Sequence, residues 1–243
     1  MSRFFVQKSA IKGKNIMVDG EEAHHILDVM RLKELDKVVT FDGTGMEYVG
    51  FIKEIKRKNL VIEIVETRTP SNKGSSKVTL IQAIPKKDKM DYIAEKATEL
   101  GVFSIVPVAT KRTIPDWDEA KRNANVERWR KIAQEASKQC GRSDIPEIDG
   151  IVDFTESVRG ANKYDLALIA ALSDEAVPIK DILRDFKGGR VAIAIGPEGD
   201  FTPDEIKLAR ESGFKLVSLG PRVLKSDTAG LAMLAILNYE FTK

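Results

Sequence analysis

From residue 77 onward, apolar runs of strand length alternate with segments whose apolar residues recur every three or four positions. The runs are 78–84, 103–108, 166–172, 191–195 and 216–219, with 145–148 a weaker candidate. Between them, 88–100 carries Met90, Ile93, Ala94, Ala97 and Leu100 at helical spacing, with Gly101 as a stop signal. Segment 118–139 places Val126, Trp129, Ala133, Ala136 and Cys140 on one stripe. Thr202-Pro203-Asp204-Glu205 opens a further helix with a cap, a first-turn proline and acidic residues that suit the helix dipole. Continuous apolar strands alternating with helices imply an α/β fold, with a mostly parallel sheet covered on both faces.

The first seventy residues read differently. Runs at 37–41, 48–55 and 60–65 are β-branched and aromatic, with turns at Asp42-Gly43 and Lys58-Asn59, which predicts a small antiparallel barrel. One short helix interrupts it. Asp19-Gly20-Glu21-Glu22 has capping-box spacing, and Ala23, Ile26, Leu27 and Met30 share a face. The breaker-rich stretch 70–76 is the best linker, so two domains are expected, 1–70 and 77–243. The last helix, about 227–241, has almost no polar face before Asn238. It is expected either inside the core or at an interface with a second subunit.

Composition narrows the function classes. Hydrophobic residues make up 42% of the 243, so the core is real, and a net charge of +2 leaves any nucleic-acid role to local clustering. A single cysteine, Cys140, excludes an internal disulfide and points to a reducing, cytoplasmic setting. No apolar run approaches the roughly 18 residues a membrane span needs. Neither a Gly-x-Gly-x-x-Gly turn after a strand nor a Walker-type loop is present, which disfavours nucleotide-phosphate cofactors. Metal binding is not expected: the only histidines, His24 and His25, are adjacent on a helix and cannot face one ion. One is expected packed and one solvated, unless His24 or His25 contacts substrate.

Two turns carry the candidate chemistry. Ile195-Gly196-Pro197-Glu198-Gly199-Asp200-Phe201 and Leu219-Gly220-Pro221-Arg222-Val223-Leu224-Lys225 each follow a strand-like run. They are expected at the carboxyl edge of the sheet, where such folds bind ligands, as two walls of one pocket. The plainer reading of Glu198 and Arg222 is a surface pair. Basic residues cluster in loops after early strands and at helix ends: Lys86, Lys87 and Lys89, then Lys111 and Arg112, with Lys138 and Arg142 flanking Cys140. Arg3 and Arg31 add charge to the N-terminal region. They read either as a phosphate-binding rim or as scattered solubilising charge.

These residues also resemble a known family, the RsmE ribosomal RNA uridine-N3 methyltransferases of the SPOUT, or trefoil-knot, superfamily. The resemblance rests on the two turns, on Lys96-Ala97-Thr98-Glu99-Leu100-Gly101, on Gln139-Cys140-Gly141-Arg142 and on the segment from His24 to Arg31. It departs at Lys225, Asp227 and Asp200, where the family commonly has Arg, Glu and Gly. The resemblance implies a PUA-like barrel, a knotted α/β domain dimerising through its last helix, and S-adenosylmethionine as cofactor. The implied substrate is a uridine in the decoding region of 16S ribosomal RNA, as naked RNA or within the small subunit. Implied cofactor contacts are Leu172, Ile195, Gly196, Pro197, Glu198, Gly199, Leu219, Gly220, Val223, Leu224 and Thr228. Arg222 and Glu198 are the expected catalytic pair, with Glu198 orienting Arg222 or the cofactor and Lys225 and Asp227 as alternates. Arg3, His24, Arg31, Lys86, Lys87, Lys111, Arg112, Arg142 and Lys225 are the expected RNA contacts. Competing readings are a catalytically weak RNA-binding assembly factor and a methylase acting on transfer RNA.

Overall fold

The computed structural model describes residues 3–69, 76–86, 89–113 and 117–241. Most of the predicted linker, and Lys87, lie outside them. The chain divides into two units: Met1–Asn72 with Gln134–Ile145, and Lys73–Ala133 with Pro146–Lys243.

The first unit contains β1 (Arg3–Phe5), a 3-10 turn, β2 (Ile11–Lys12), β3 (Asn15–Val18), α1 (Gly20–His24), β4 (Lys37–Phe41), β5 (Glu47–Lys56) and β6 (Asn59–Arg68). The strands form one six-stranded sheet in the order β1-β4-β5-β6-β3-β2. All pairings are antiparallel except β1 with β4, so the sheet is not purely antiparallel as the pattern suggested. Phe4, Ile16, Ile26, Val38, Ile52 and Ile62 form its buried core.

Two local expectations fail in α1. The Asp19 side chain makes no cap hydrogen bond; Gly20, in the left-handed region at φ 60, sets the entry instead. The helix then widens into a π turn over His25–Val29, closed by Met30 N–H donating to the His25 carbonyl at 2.9 Å. The extra residue in that turn swings Met30 off the buried face, leaving it 42% exposed.

The second unit begins with β7 (Lys77–Ala83), α2 (Lys89–Glu99), β8 (Ser104–Ala109) and α3 (Glu119–Cys140), whose last turns belong to the first unit. Then come β9 (Glu147–Ile148), β10 (Val152–Asp153), α4 (Phe154–Arg159), β11 (Leu166–Ala170), β12 (Val177–Pro178) and α5 (Ile179–Leu183). The chain ends with β13 (Arg190–Ile195), α6 (Pro203–Glu211), β14 (Lys215–Ser218) and α7 (Ser226–Phe241). Eight strands run in the order β10-β8-β7-β13-β11-β14-β12, with β9 on β8, and every pairing is parallel.

Each face is covered as a doubly buried parallel sheet requires. On one side Ile81, Val106, Ile169 and Ala194 pack with Phe154, Phe201 and Ala209, and the rings of Phe154 and Phe201 stack at 4.4 Å. On the other, α7 lies over β7 and β13, with Gly230 close to Leu80, Gln82 and Ile195. Helix α7 is not enclosed all round: Gly230, Met233, Leu234 and Leu237 are buried, but Ala235 and Tyr239 are exposed. Cys140 also departs from its predicted stripe, ending α3 exposed while Trp129 and Ala133 are buried.

Candidate functional site

Strands β13, β11 and β14 are consecutive neighbours in the sheet, so the segments leaving their carboxyl ends lie side by side. Those segments enclose a cavity of about 260 Å³. Its walls come from Ala170 to Leu172 after β11, from Ile195 to Asp200 after β13, and from Leu219 to Lys225 after β14, with Ser226 and Ala229 of α7. The two Gly-Pro turns are therefore two walls of one pocket. A third wall, after β11, was visible to sequence reading only at Leu172. Of the expected cofactor contacts, Gly199 and Thr228 are not among the lining residues.

The turn after β13 is braced on three sides. At Gly196 a side chain would crowd Phe201 N at 3.2 Å and Asp200 Oδ1 at 3.1 Å, so glycine permits the close approach. Asp200 occupies the left-handed region at φ 61. Its Oδ1 accepts from its neighbour's amide, Phe201 N, at 2.8 Å, and its Oδ2 accepts from Leu172 N at 3.0 Å, tying the β11 and β13 walls together. Arg112 donates to the Gly199 carbonyl and, at 3.3 Å, to that of Phe201. Behind the turn, Ser226 Oγ donates to the Gly196 carbonyl at 2.5 Å and accepts from Gln82 Nε2 at 3.0 Å. Helix α6 then starts on its predicted capping box, Thr202 with Glu205. The 2%-exposed Glu205 also accepts from Lys111 N at 2.9 Å.

Glu198 and Arg222 do not pair. Glu198 receives Lys89 Nζ at 3.1 Å and the Lys86 amide at 3.3 Å. Burial alone would raise its pKa; its own backbone amide, Lys89 and the Lys86 amide outweigh that and hold it below the ordinary 4.5. It is thus an ionised brace between the β7 and β13 loops, poorly suited to accepting a proton at neutral pH. Arg222 and Lys225 line the cavity, are exposed, and form no side-chain hydrogen bond or ion pair among the described residues. The pocket thus carries two unspent positive charges.

Residues 72–238 match the family model of the RNA methyltransferase domain, and residues 18–65 that of the RNA methyltransferase PUA domain. A ribosomal RNA small subunit methyltransferase E from Rickettsia conorii is 30% identical over 96% of this chain and 93% of its own. The chain belongs to the ribosomal RNA small subunit methyltransferase E family. Among solved structures, methyltransferase E from Neisseria gonorrhoeae bound to S-adenosyl methionine superposes with a TM-score of 0.88 at 29% identity, covering 98% of this chain and 97% of that one. A Legionella pneumophila methyltransferase in complex with SAM gives 0.85 at 31%, covering 98% and 96%.

In this member of the methyltransferase E family the expected basic contacts fall into distinct groups. Lys86, Lys111 and Arg112 sit on loops after β7 and β8, at the same sheet edge as the cavity. Arg112 is tied to the turn it borders, Lys111 Nζ lies 3.6 Å from the exposed Asp204 carboxylate, and Lys86 is exposed. Lys225 lines the cavity itself, and Arg3, His24, Arg31 and Arg142 belong to the first unit. There Arg3 bonds to Glu47 at 2.7 Å and to the Arg142 carbonyl at 3.1 Å, and Arg142 bonds to Asp144 at 2.6 Å. Both guanidiniums are thus engaged by partners within the unit. His24 is 68% exposed beside Asp28, and Arg31 is exposed, whereas His25 packs edge-on to Phe4 at 5.7 Å. Among the described residues no helix is long and apolar enough to cross a membrane, and no cluster of potential metal ligands occurs.

Proposed function

We propose that this protein transfers the methyl group of S-adenosylmethionine to N3 of one uridine in the decoding region of 16S ribosomal RNA, in the cytoplasm. The observation that carries the reading is the cavity between the two Gly-Pro turns, with Arg222 and Lys225 unpaired on its wall. The residues present fit such a donor. Aliphatic side chains of Leu172, Ile195, Leu219 and Leu224 suit an adenosine, and glycines at 196 and 220 keep the backbone accessible. Leu172, Ile195, Gly196, Pro197, Leu219, Gly220, Val223 and Leu224 would hold it.

Bound there, S-adenosylmethionine supplies a methyl group on a cationic sulfur that leaves as a neutral thioether. The protein's own task is at the uracil. N3 carries a proton that must depart before its electron pair can form the new N–C bond. Arg222 stabilises the uracil anion left when that proton passes to solvent, and Lys225 holds the neighbouring phosphate. Glu198, spent on Lys89 and the Lys86 amide, keeps the pocket wall in place. Lys86, Lys111, His24 and Arg31 contribute to RNA attraction through exposed charge or polarity.

The half-covered apolar face of α7, including Leu231, Ala232, Ala235 and Ile236, supports a homodimer built on this helix. Light scattering on the purified protein should give twice the chain mass, and Ala235→Glu should shift it toward the monomer.

The function is tested with small subunits from cells lacking the protein. Incubation with the wild type and the methyl donor should place one methyl group on N3 of a single 16S uridine, read by nuclease digestion and mass spectrometry. Methylation of transfer RNA instead, or binding of subunits without transfer, would replace the proposal with one of its competitors.

A further inference from the structure

The polar pair behind the pocket has a direction that packing alone does not require. Gln82 lies on β7 and is fully buried, and Ser226, 5% exposed, is the first residue of α7 and lines the cavity. The Gly196 carbonyl can only accept, so the single Ser226 hydroxyl proton is committed to it at 2.5 Å. Ser226 Oγ must then accept, which turns the Gln82 amide nitrogen toward it at 3.0 Å and toward the Ala83 carbonyl at 3.0 Å. Gln82 Oε1 is thereby left buried with no hydrogen-bond partner among the described residues. A Cβ at position 230 would come within 3.1 Å of that oxygen, and only glycine stands there. An apolar side chain at 82 would match the neighbouring Leu80 and Ile195 and leave no orphan.

We infer that Gln82 and Ser226 are positioning residues for methyl transfer: the chain Gln82–Ser226–Gly196 fixes the peptide plane that opens the turn at the pocket. This rests on the cavity being the donor site. The chain favours a local polarity over the most stable core, as sites that trade stability for function do. The expected result therefore has opposite signs in two measurements.

Gln82→Met, Ser226→Ala and Ser226→Thr are compared with the wild type by thermal denaturation, calorimetric titration with S-adenosylmethionine, and steady-state methylation of small subunits. Gln82→Met should melt at or above the wild-type temperature yet bind the donor roughly five-fold more weakly, the factor of an ordinary hydrogen bond. Its KM for the donor should rise while kcat at saturating donor holds. Ser226→Ala should lose the same factor and Ser226→Thr, which keeps the hydroxyl, should restore it. Unchanged donor affinity in Gln82→Met and Ser226→Ala overturns the inference, as does a loss that merely follows a fall in melting temperature. Should Gln82→Met fail to fold, the Ser226 pair decides alone. A wild type that binds no donor overturns the donor-site reading itself and this inference with it, an outcome distinct from variants that bind normally.

Discussion

Asp200→Gly separates a structural from a functional tether. The position sits at φ 61, where an L-residue costs roughly 1–2 kcal/mol and glycine nearly nothing. Against that relief stand two lost acceptors, for Leu172 N at 3.0 Å and Phe201 N at 2.8 Å. Each such bond contributes about 0.5–1.5 kcal/mol net, and glycine adds about 0.5–1 kcal/mol of unfolded-state entropy. The losses outweigh the relief only modestly at mid-range, so global stability should fall by roughly 1 kcal/mol. The pocket is another matter. Leu172 is 66% exposed, and the Asp200 carboxylate fastens its amide to the neighbouring wall. Releasing it means the donor must order that segment on binding, which should weaken its affinity about three- to tenfold. Hydrogen exchange should show the Leu172 amide losing protection while β11 amides keep theirs, and calorimetric titration should show the weaker binding. A Leu172 amide that stays protected, with donor affinity intact, would refute the argument.

Other expectations follow from single contacts. Because the Glu198 pKa is depressed, its stabilising effect is full above about pH 4.5 and is lost as pH falls through the folded-state value. The melting temperature difference between wild type and Glu198→Gln should therefore be constant near neutrality and shrink only below pH 4.5. Lys138→Ala removes the partner of Glu22 and Glu135 from a site where the lysine side chain is 14% exposed. It should cost about 1–3 kcal/mol in urea unfolding, with much of the loss recovered in the Glu22→Gln background. Gly50→Ala forces a methyl against the Glu63 carbonyl and within 2.7 Å of Ile62 Cγ2, and should cost about 1–3 kcal/mol or leave the N-terminal sheet unfolded by circular dichroism. Arg222→Ala should leave donor titration unchanged and lower methylation of small subunits at least about a hundredfold, if charge stabilisation at the uracil is its role.

The larger elements were legible because their chemistry is local and periodic. The apolar runs become β7, β8, β11, β13 and β14 within one or two residues, and Thr202 caps α6 as its spacing indicates. The two Gly-Pro turns announced themselves by position after those runs. Less visible were short edge strands such as β10 and β12, which are two residues each and have no room for a pattern. The π turn at His25–Val29 escaped because periodicity assumes an unbroken α-helical advance. Gln82 lies inside the apolar run 78–84, and nothing local signals that Ser226, 144 residues away, is its partner. Asp200 and Glu198 were seen, but which groups they would hold depends on the order of strands in the sheet, which no window of sequence contains.

The most direct test is diffraction from crystals grown with S-adenosylmethionine at saturating concentration. Difference density for the donor should lie enclosed by Leu172, the Gly196 turn and the Gly220 turn, with the Gln82–Ser226–Gly196 chain unmoved behind it. Donor density anywhere else on the protein, or none in that cavity, would contradict this placement.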